Sequence, residues 1–522
     1  MNRESMIKML EEHEAQTWDV VVIGGGASGL GAGLDASNRG FKTLVLEKTD
    51  FAKGTSSRST KLIHGGVRYL AQGDIALVYE ALNERGLLMQ NAPHLVSNQK
   101  FVIPNYDWWG YPYYTIGLKV YDMMAGKLGL GPSVSISKTA TLEEIPTIKT
   151  EGLRGGVVYQ DGQFDDSRLA VNLAQTITES GGTVLNYFPV KGLLKNSDGL
   201  VNGVEAEDRE TGKKYKIRAK AVINATGVFV DRILRMDDPK SEKTIVPSQG
   251  VHIVLDKDFL PGTSAVLIPK TDDGRVLFAV PWYGKVVVGT TDTLVKKAKL
   301  EPRAKEEEIN FILKTAGDYL TRAPERKDVR SVFAGLRPLS APKKKGKKTK
   351  EISRGHKVSV SLSRLITMRG GKWTTYRKMG EDAIDQAIIV AGLEERPCET
   401  RHKMIHGHEQ VTEDVPFAFY GSDRRFLQEL ISDNPELGEK LHPEFDFTKA
   451  EVIWAVREEM ARTIEDVLAR RIRALFLNAY ASMEMAETVA KLMAAELDWS
   501  AEKVESEIED FKKLAQRYTL KD

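Results

Sequence analysis

The stretch WDVVVIGGGASGLGAGLDASNRGFKTLVLE, residues 18–47, decides the fold. Residues 18–23 form a short β-branched apolar run, the mark of a strand buried on both faces. A glycine cluster follows, then a helical stretch Leu30–Arg39 closed by Gly40, then a second strand at 42–47. Together they have the length of one βαβ unit, about 30 residues. Gly24, Gly26 and Gly29 form G-x-G-x-x-G between the first strand and the helix. The first glycine permits a tight turn, the second lets the backbone approach a pyrophosphate, and the third lets helix and strand pack closely. The helix N-terminus then turns unpaired N–H groups and a partial positive charge toward the diphosphate, past Ala27 and Ser28. Glu47 closes the second strand, where a carboxylate accepts hydrogen bonds from an adenosine ribose. Strand, triplet, helix, strand and acid in register predict dinucleotide binding, without separating FAD from NAD.

Working outward, residues 5–15 read as a short amphipathic helix with Met6, Ile7, Met9 and Leu10, expected to pack on its own protein. From 60 to 150 helix and loop mix, rich in aromatics at Tyr106–Tyr114, as in an insertion against the nucleotide-binding core. Residues 168–180 read as a helix, 183–188 as a strand, and 200–223 as a hairpin followed by a buried strand. The runs VHIVL, RVLFAV and KVVVGT between 245 and 335 predict a largely antiparallel sheet. After about 405 the pattern is helical. Val452, Val456, Met460, Ile464, Val467, Leu468 and Ile472 recur at three- and four-residue steps over 452–472. Ser500 caps a last helix carrying Val504, Ile508, Phe511 and Leu514.

The expected class is therefore α/β, α+β overall. A Rossmann-like FAD-binding domain (1–75, 150–240 and 340–400) joins an antiparallel-sheet substrate domain (76–149 and 241–339) and a C-terminal helical cap (401–522).

The chain's 522 residues accommodate two or three cores. A formal net charge of +2 gives no global reason to expect nucleic acid. With Cys398 the one cysteine, no disulfide framework, Cys-x-x-Cys pair or thiolate metal cluster can form within the chain, and no metal site is expected. A reducing, intracellular compartment fits. The N-terminus lacks the features of a secretory signal. No run reaches the roughly 20 apolar residues that span a bilayer. The expectation is a protein that is soluble or lies on a membrane surface.

Three segments favour FAD. GTSSRSTKLIHGG (54–66) follows the second strand and offers the hydroxyls of Thr55, Ser56, Ser57, Ser59 and Thr60. NATGVFVD (224–231) ends a buried strand at Ala225, Thr226 and Gly227, where backbone can lie against a cofactor. GGKWTTYR (370–377) is a second glycine turn, with Gly371, Lys372 and Trp373 ahead of Thr374 and Thr375, starting a helix aimed at the flavin ring.

Taken together, these segments resemble the FAD-dependent glycerol-3-phosphate dehydrogenases, within the D-amino-acid-oxidase-like flavoproteins. The resemblance also rests on IGGGASGLGAGLDASNRG, FDDSRL (164–169), GLRPL (335–339) and EEMARTIEDVLARR (458–471). IHGGVRYL and EEMARTIEDVLARR are the most specific of these. The resemblance implies oxidation of sn-glycerol 3-phosphate to dihydroxyacetone phosphate. It also implies non-covalent FAD, electrons passed on to a membrane quinone, and a peripheral seat on the inner face of the cytoplasmic membrane, with a homodimer as an expected assembly. The cofactor set it implies adds Lys48, Lys61, Leu62, His64, Gly65, Gly66 and Val190 to the residues above, with His64 near the flavin ring.

Oxidising a secondary alcohol needs a base for the hydroxyl proton, orientation and charge, since the flavin accepts the hydride. A phosphate monoester carries nearly two negative charges and demands cationic, hydrogen-bonding partners. Arg337 in GLRPL, Arg354 in ISRGH, Lys372 and Arg58 are the candidates. His252 in PSQGVHIV is the candidate base, ahead of His64, with Arg337 also placed to stabilise an alkoxide. Arg58 stands where small residues are common in the family. KKKGKKTK (343–350), with six lysines, is either a solvated loop or a peripheral membrane contact. O2 in place of quinone, and a non-catalytic FAD-bound membrane module, are the competing readings.

Overall fold

A computed structural model describes every residue except 14–15, 71–72, 108–109, 270, 272–275, 342–354, 413–414 and 521–522. The opening run forms the strand Trp18–Ile23, parallel to Thr43–Leu46 on one side and to the end of Lys214–Asn224 on the other. Every residue of it but Asp19 is buried, which is why apolar side chains occupy both faces. Thr183–Leu185 continues the sheet beyond Thr43–Leu46, and Ile366–Arg369 with Lys357–Val360 closes the far side. The intervening helix spans Ala27–Asn38, three residues longer at its start than the sequence pattern marks, with Gly26 at its N-cap.

The hairpin expected over 200–223 and the buried strand expected after it share one strand. Lys214–Asn224 alternates exposed and buried in its first half, pairing with Val201–Glu207, and is buried on both faces in its second half. Val190–Lys195 adds a third arm that the sequence pattern does not mark.

The second sheet is larger. Its centre is Ile245–Asp256, paired antiparallel with Lys285–Gly289 and, over ten residues, with Ser331–Ser340. Leu277–Trp282, Ala265–Ile268, Val96–Asn105, Gly155–Phe164 and Leu62–Ile63 extend it. Two differences from expectation follow. Residues 60–150 contain the long strand Val96–Asn105, and Gly155–Phe164 belongs to this sheet although residues from 150 onward were assigned to the FAD-binding part. Both strands carry Gln, Asn, Asp or Gly. Tertiary pairing, rather than intrinsic preference, makes them strands. Leu62–Ile63 matters for function, because it carries the chain from the glycine turn of one sheet onto the other.

The N-terminal helix, Arg3–Glu12, buries Met6 and Leu10 in the first core, and Arg3 pairs with Asp208. The C-terminal part is helical, and Ser500 accepts from Lys503 N at the start of Ala501–Ala515 as expected. The continuous helix expected over 452–472 is broken. Lys449–Glu459 stops at Met460 (φ +55°), a wide π-type turn covers Asp466–Arg471, and Arg473 is again left-handed (φ +61°). This stretch is surrounded by protein. Arg470 and Arg471 meet buried Asp50, and the breaks turn both arginines onto it. Satisfying buried charge outweighs helical periodicity here. Among the described residues, no helix is long and apolar enough to cross a membrane.

Candidate functional site

A cavity of about 710 Å³ runs from the glycine turn, along the 54–64 segment, to the face of the second sheet. At the near end the turn is built for close approach. Gly24 has φ +116°, and a Cβ on Gly29 would lie 1.8 Å from Gly24 O, so no side chain fits between helix and strand. Gly29 therefore acts in packing, and it is Gly24, Gly26, Ala27 and Ser28 that line the cavity. Gly26 itself offers no side-chain cap, and beyond Ala27 N, which Ser56 takes, the first turn of the helix faces the cavity with its partial positive charge. Lys48, Lys191, Arg209 and Arg232 ring this end. Burial and the neighbouring Arg232 and Arg209 push the Lys48 ammonium below its usual range.

Glu47 accepts from Gly25 N (2.7 Å) and Thr49 N (2.9 Å), holding the turn against the second strand. Burial raises its carboxyl, while those bonds pull it back. A carboxylate has about four acceptor positions, so ribose hydroxyls can add to this set.

Along the middle, Ser56 Oγ accepts from Ala27 N (3.0 Å), and Trp373 Nε1 donates to Ser56 O (2.8 Å). Thr55 Oγ1 donates to Leu336 O (2.6 Å), pinning the segment to the second sheet. The three glycine- and hydroxyl-rich segments thus converge: Ser59, Leu62, His64, Val190, Ala225, Thr226, Gly227, Gly371, Lys372, Trp373 and Thr374 all line the cavity. Ser57, Lys61, Gly65 and Gly66, expected as cofactor contacts, do not. Gly65 N donates to Tyr121 OH (2.8 Å). Ser57 O accepts from Lys61, whose ammonium is buried on Asp166 at 2.6 Å. Ser57, Lys61 and Gly65 support the wall from behind, and Gly66 is buried beside them. Thr375 is likewise buried off the cavity.

At the far end stand His252 and Arg337, on the paired strands Ile245–Asp256 and Ser331–Ser340. The register sets Arg337 opposite Ser248 and Phe333 opposite His252, so all four share one face. Gly250 makes the room: a Cβ there would lie 2.6 Å from Arg337 Nη2. Gly289 does the same for the imidazole, at 2.3 Å from Cδ2. Arg337 donates to Thr291 O (3.0 Å) and Thr290 Oγ1 (3.2 Å), and its side chain stays 26% exposed, on the cavity. His252 is buried, stacks on Phe333 (4.9 Å between centroids), and has Nε2 at 2.9 Å from Thr60 Oγ1. Among the described residues its Nδ1 has no hydrogen-bond partner. Burial, then Arg337 and Lys61, hold the imidazole well below its usual range, so it is neutral and able to take a proton.

Arg58 is a correction. It reaches the cavity wall, but its guanidinium is committed to Glu301 (2.7 Å), Leu300 O (2.6 Å) and Tyr518 OH (3.0 Å), in a buried cluster that ties the C-terminal domain to the 54–64 segment. Burial opposes its charge, but Glu301 restores it and raises the group above its ordinary value. A cation so compensated has little left for phosphate. Lys372 lines the cavity; Arg354 and the 343–350 lysines lie outside the described residues. Sequence reasoning missed Gly250, Gly289, Glu301 and Tyr518, because nothing local marks them. Asp166 and Arg473 were also unassigned, although FDDSRL holds the first and EEMARTIEDVLARR ends two residues before the second.

The comparisons agree with this geometry. Residues 19–364 match the model of the FAD dependent oxidoreductases, and 367–504 that of the C-terminal domain of alpha-glycerophosphate oxidase. A mitochondrial glycerol-3-phosphate dehydrogenase from Mesocricetus auratus is 40% identical over 97% of this chain and 74% of its own length. The chain belongs to the FAD-dependent glycerol-3-phosphate dehydrogenase family. Another member, from Schizosaccharomyces pombe, is 38% identical over 98% of this chain and 89% of its own. A solved glycerol-3-phosphate dehydrogenase from Bacillus halodurans, complexed with FAD, superposes with a TM-score of 0.78 at 29% identity, covering 99% of this chain and 98% of that one. The cofactor of this family member is FAD, and the mixed α/β architecture with a helical C-terminal domain is the family's. The helix start, the glycine cradle and the cation rim fit its diphosphate.

Proposed function

We propose that this dehydrogenase oxidises sn-glycerol 3-phosphate to dihydroxyacetone phosphate. The observation that carries the reading is the pairing, in the FAD cavity, of a neutral buried imidazole with an arginine fork four register positions away on the same face of the neighbouring strand. FAD, when bound, supplies a two-electron acceptor for the hydrogen on the substrate's secondary carbon. His252 takes the hydroxyl proton, and the departure of that proton and that hydrogen leaves the ketone. Arg337 and Lys372 neutralise the phosphate and orient the carbon, and Arg337's second role is to steady the developing alkoxide. His64 packs at the flavin end, its amide 3.4 Å from Thr374 Oγ1.

In the same reading the electrons pass to a membrane quinone, with the protein peripheral on the inner face of the cytoplasmic membrane. The names of the relatives support a dehydrogenase. The match of 367–504 to an oxidase's C-terminal domain supports O2 as a second acceptor reading. Anaerobic bleaching of the flavin by glycerol 3-phosphate, but not by glycerol, is the expected result. A spectrum untouched by the phosphorylated substrate would defeat the proposal. Oxygen uptake measured with and without a soluble quinone analogue separates the two acceptors.

A further inference from the structure

Behind the cavity wall lies a buried charge cluster that the reaction as described does not use. Lys61 Nζ meets Asp166 Oδ2 at 2.6 Å and Ser57 O at 2.8 Å. Three rings cage the same ammonium: Trp282 at 5.2 Å, Phe333 at 5.4 Å and Phe476 at 5.2 Å. Arg473 Nη2 holds the other Asp166 oxygen at 3.0 Å. Both cations sit on left-handed backbone, Lys61 at φ +64° and Arg473 at φ +61°. A non-glycine residue stays there only where its surroundings over-determine it.

The cluster reaches His252 along two routes. Asp166 Oδ2 also accepts from Ser59 N (3.1 Å) and Ser59 Oγ (2.7 Å), so the segment that carries Thr60 is clamped on both sides of it. Thr60 Oγ1 in turn meets His252 Nε2. Independently, Phe333 packs on the imidazole at an interplanar angle of 16° and is one wall of the Lys61 cage. A ring already polarised by an ammonium is a poor neighbour for a second cation.

We propose that Lys61 is a positioning residue for the proton acceptor: clamped on Asp166, it sets the Thr60–His252–Phe333 array and keeps the imidazole in its proton-accepting form. This rests on the reading of His252 as base. The charges that face His252 are Arg337 from the paired strand and Lys61 from the 57–61 segment, with Asp166 and Arg473 behind Lys61. Gly289, from the strand on its other side, brings none. Burial pulls the Lys61 ammonium down to about 7, against the pull of Asp166. It is therefore charged on the acid side, where the imidazole would otherwise take a proton.

The test is the pH profile of kcat/KM for glycerol 3-phosphate with FAD-loaded protein. Lys61→Met is expected to move the acid limb up by about one unit, hence to cut kcat/KM about tenfold on the acid side and much less above it. Lys61→Arg should keep the limb in place. General loss of packing would lower the rate at every pH and leave the limb unmoved, and that result overturns the proposal. If Lys61→Met does not load FAD, Lys61→Gln is judged by the same criteria, since its amide still donates to Asp166 and Ser57 O. His252→Gln separates the two readings. A limb that stays unchanged in His252→Gln, after the substrate phosphate's own ionisation at about pH 6 is allowed for, removes His252 as base. A limb lost there but unmoved in the neutral Lys61 variants removes Lys61 alone.

Discussion

The two ends of the cavity are built by different means. At the glycine-turn end backbone leads, with a glycine turn and a helix start whose Ala27 N is fixed by Ser56, and the cations Lys48, Lys191, Arg209 and Arg232 stand at the rim. At the substrate end side chains lead, His252, Arg337 and Lys372, on and beside a sheet. The difference follows from charge. Each phosphate of a diphosphate bridge carries about one negative charge, which aligned N–H dipoles and a rim of cations balance, whereas a monoester carries nearly two and needs cations placed directly against it. Backbone recognition depends on shape; side-chain recognition depends on where the sheet register places a guanidinium.

The comparison breaks most sharply at Gly29. Gly29→Ala puts a Cβ 1.8 Å from Gly24 O, and the strain should weaken FAD binding by about one to two orders of magnitude, read as flavin absorbance per protein after gel filtration. The substrate end should respond differently. Arg337→Lys keeps the charge but loses the fork, and is expected to lower kcat/KM by about two orders of magnitude with flavin content unchanged. Loss of flavin in that variant would contradict the division of labour.

The smallest effect lies away from both ends. His406 joins Glu179 to Asp423 (2.7 Å to the latter), linking the FAD-binding core to the C-terminal domain. Although burial opposes its charge, those two carboxylates raise the imidazole to about 9. Its folded value is above the unfolded one, so its stabilisation is complete below about pH 6.5 and fades as pH rises through about 9. His406→Gln should lower Tm by about 2–4 °C at the acid end of that window, with no difference at its alkaline end. A gap that is constant with pH would exclude the charged clamp.

The same contrast governs what was legible. Gly24, Gly26, Gly29 and Glu47 could be read because one local unit holds strand, turn and helix together. The antiparallel sheet was visible in the alternation of VHIVL and KVVVGT. The helix drawn through 452–472 is broken after Glu459, because Arg470 and Arg471 reach Asp50 some 420 residues away in sequence. Arg58 was misjudged for the same reason: Glu301 and Tyr518 claim it, and no window of sequence contains all three.

By itself, then, the sequence determined the dinucleotide turn, whose contacts lie within about 30 residues, and through its motifs the fold class and the segments that line the cavity. Only the tertiary structure decided which of the cations stay open to the cavity and which are consumed in buried pairs. It also placed Lys61 on Asp166, off the cavity lining. Those outcomes depend on compensation between charges brought together from distant segments, and a buried charge goes wherever its partner is.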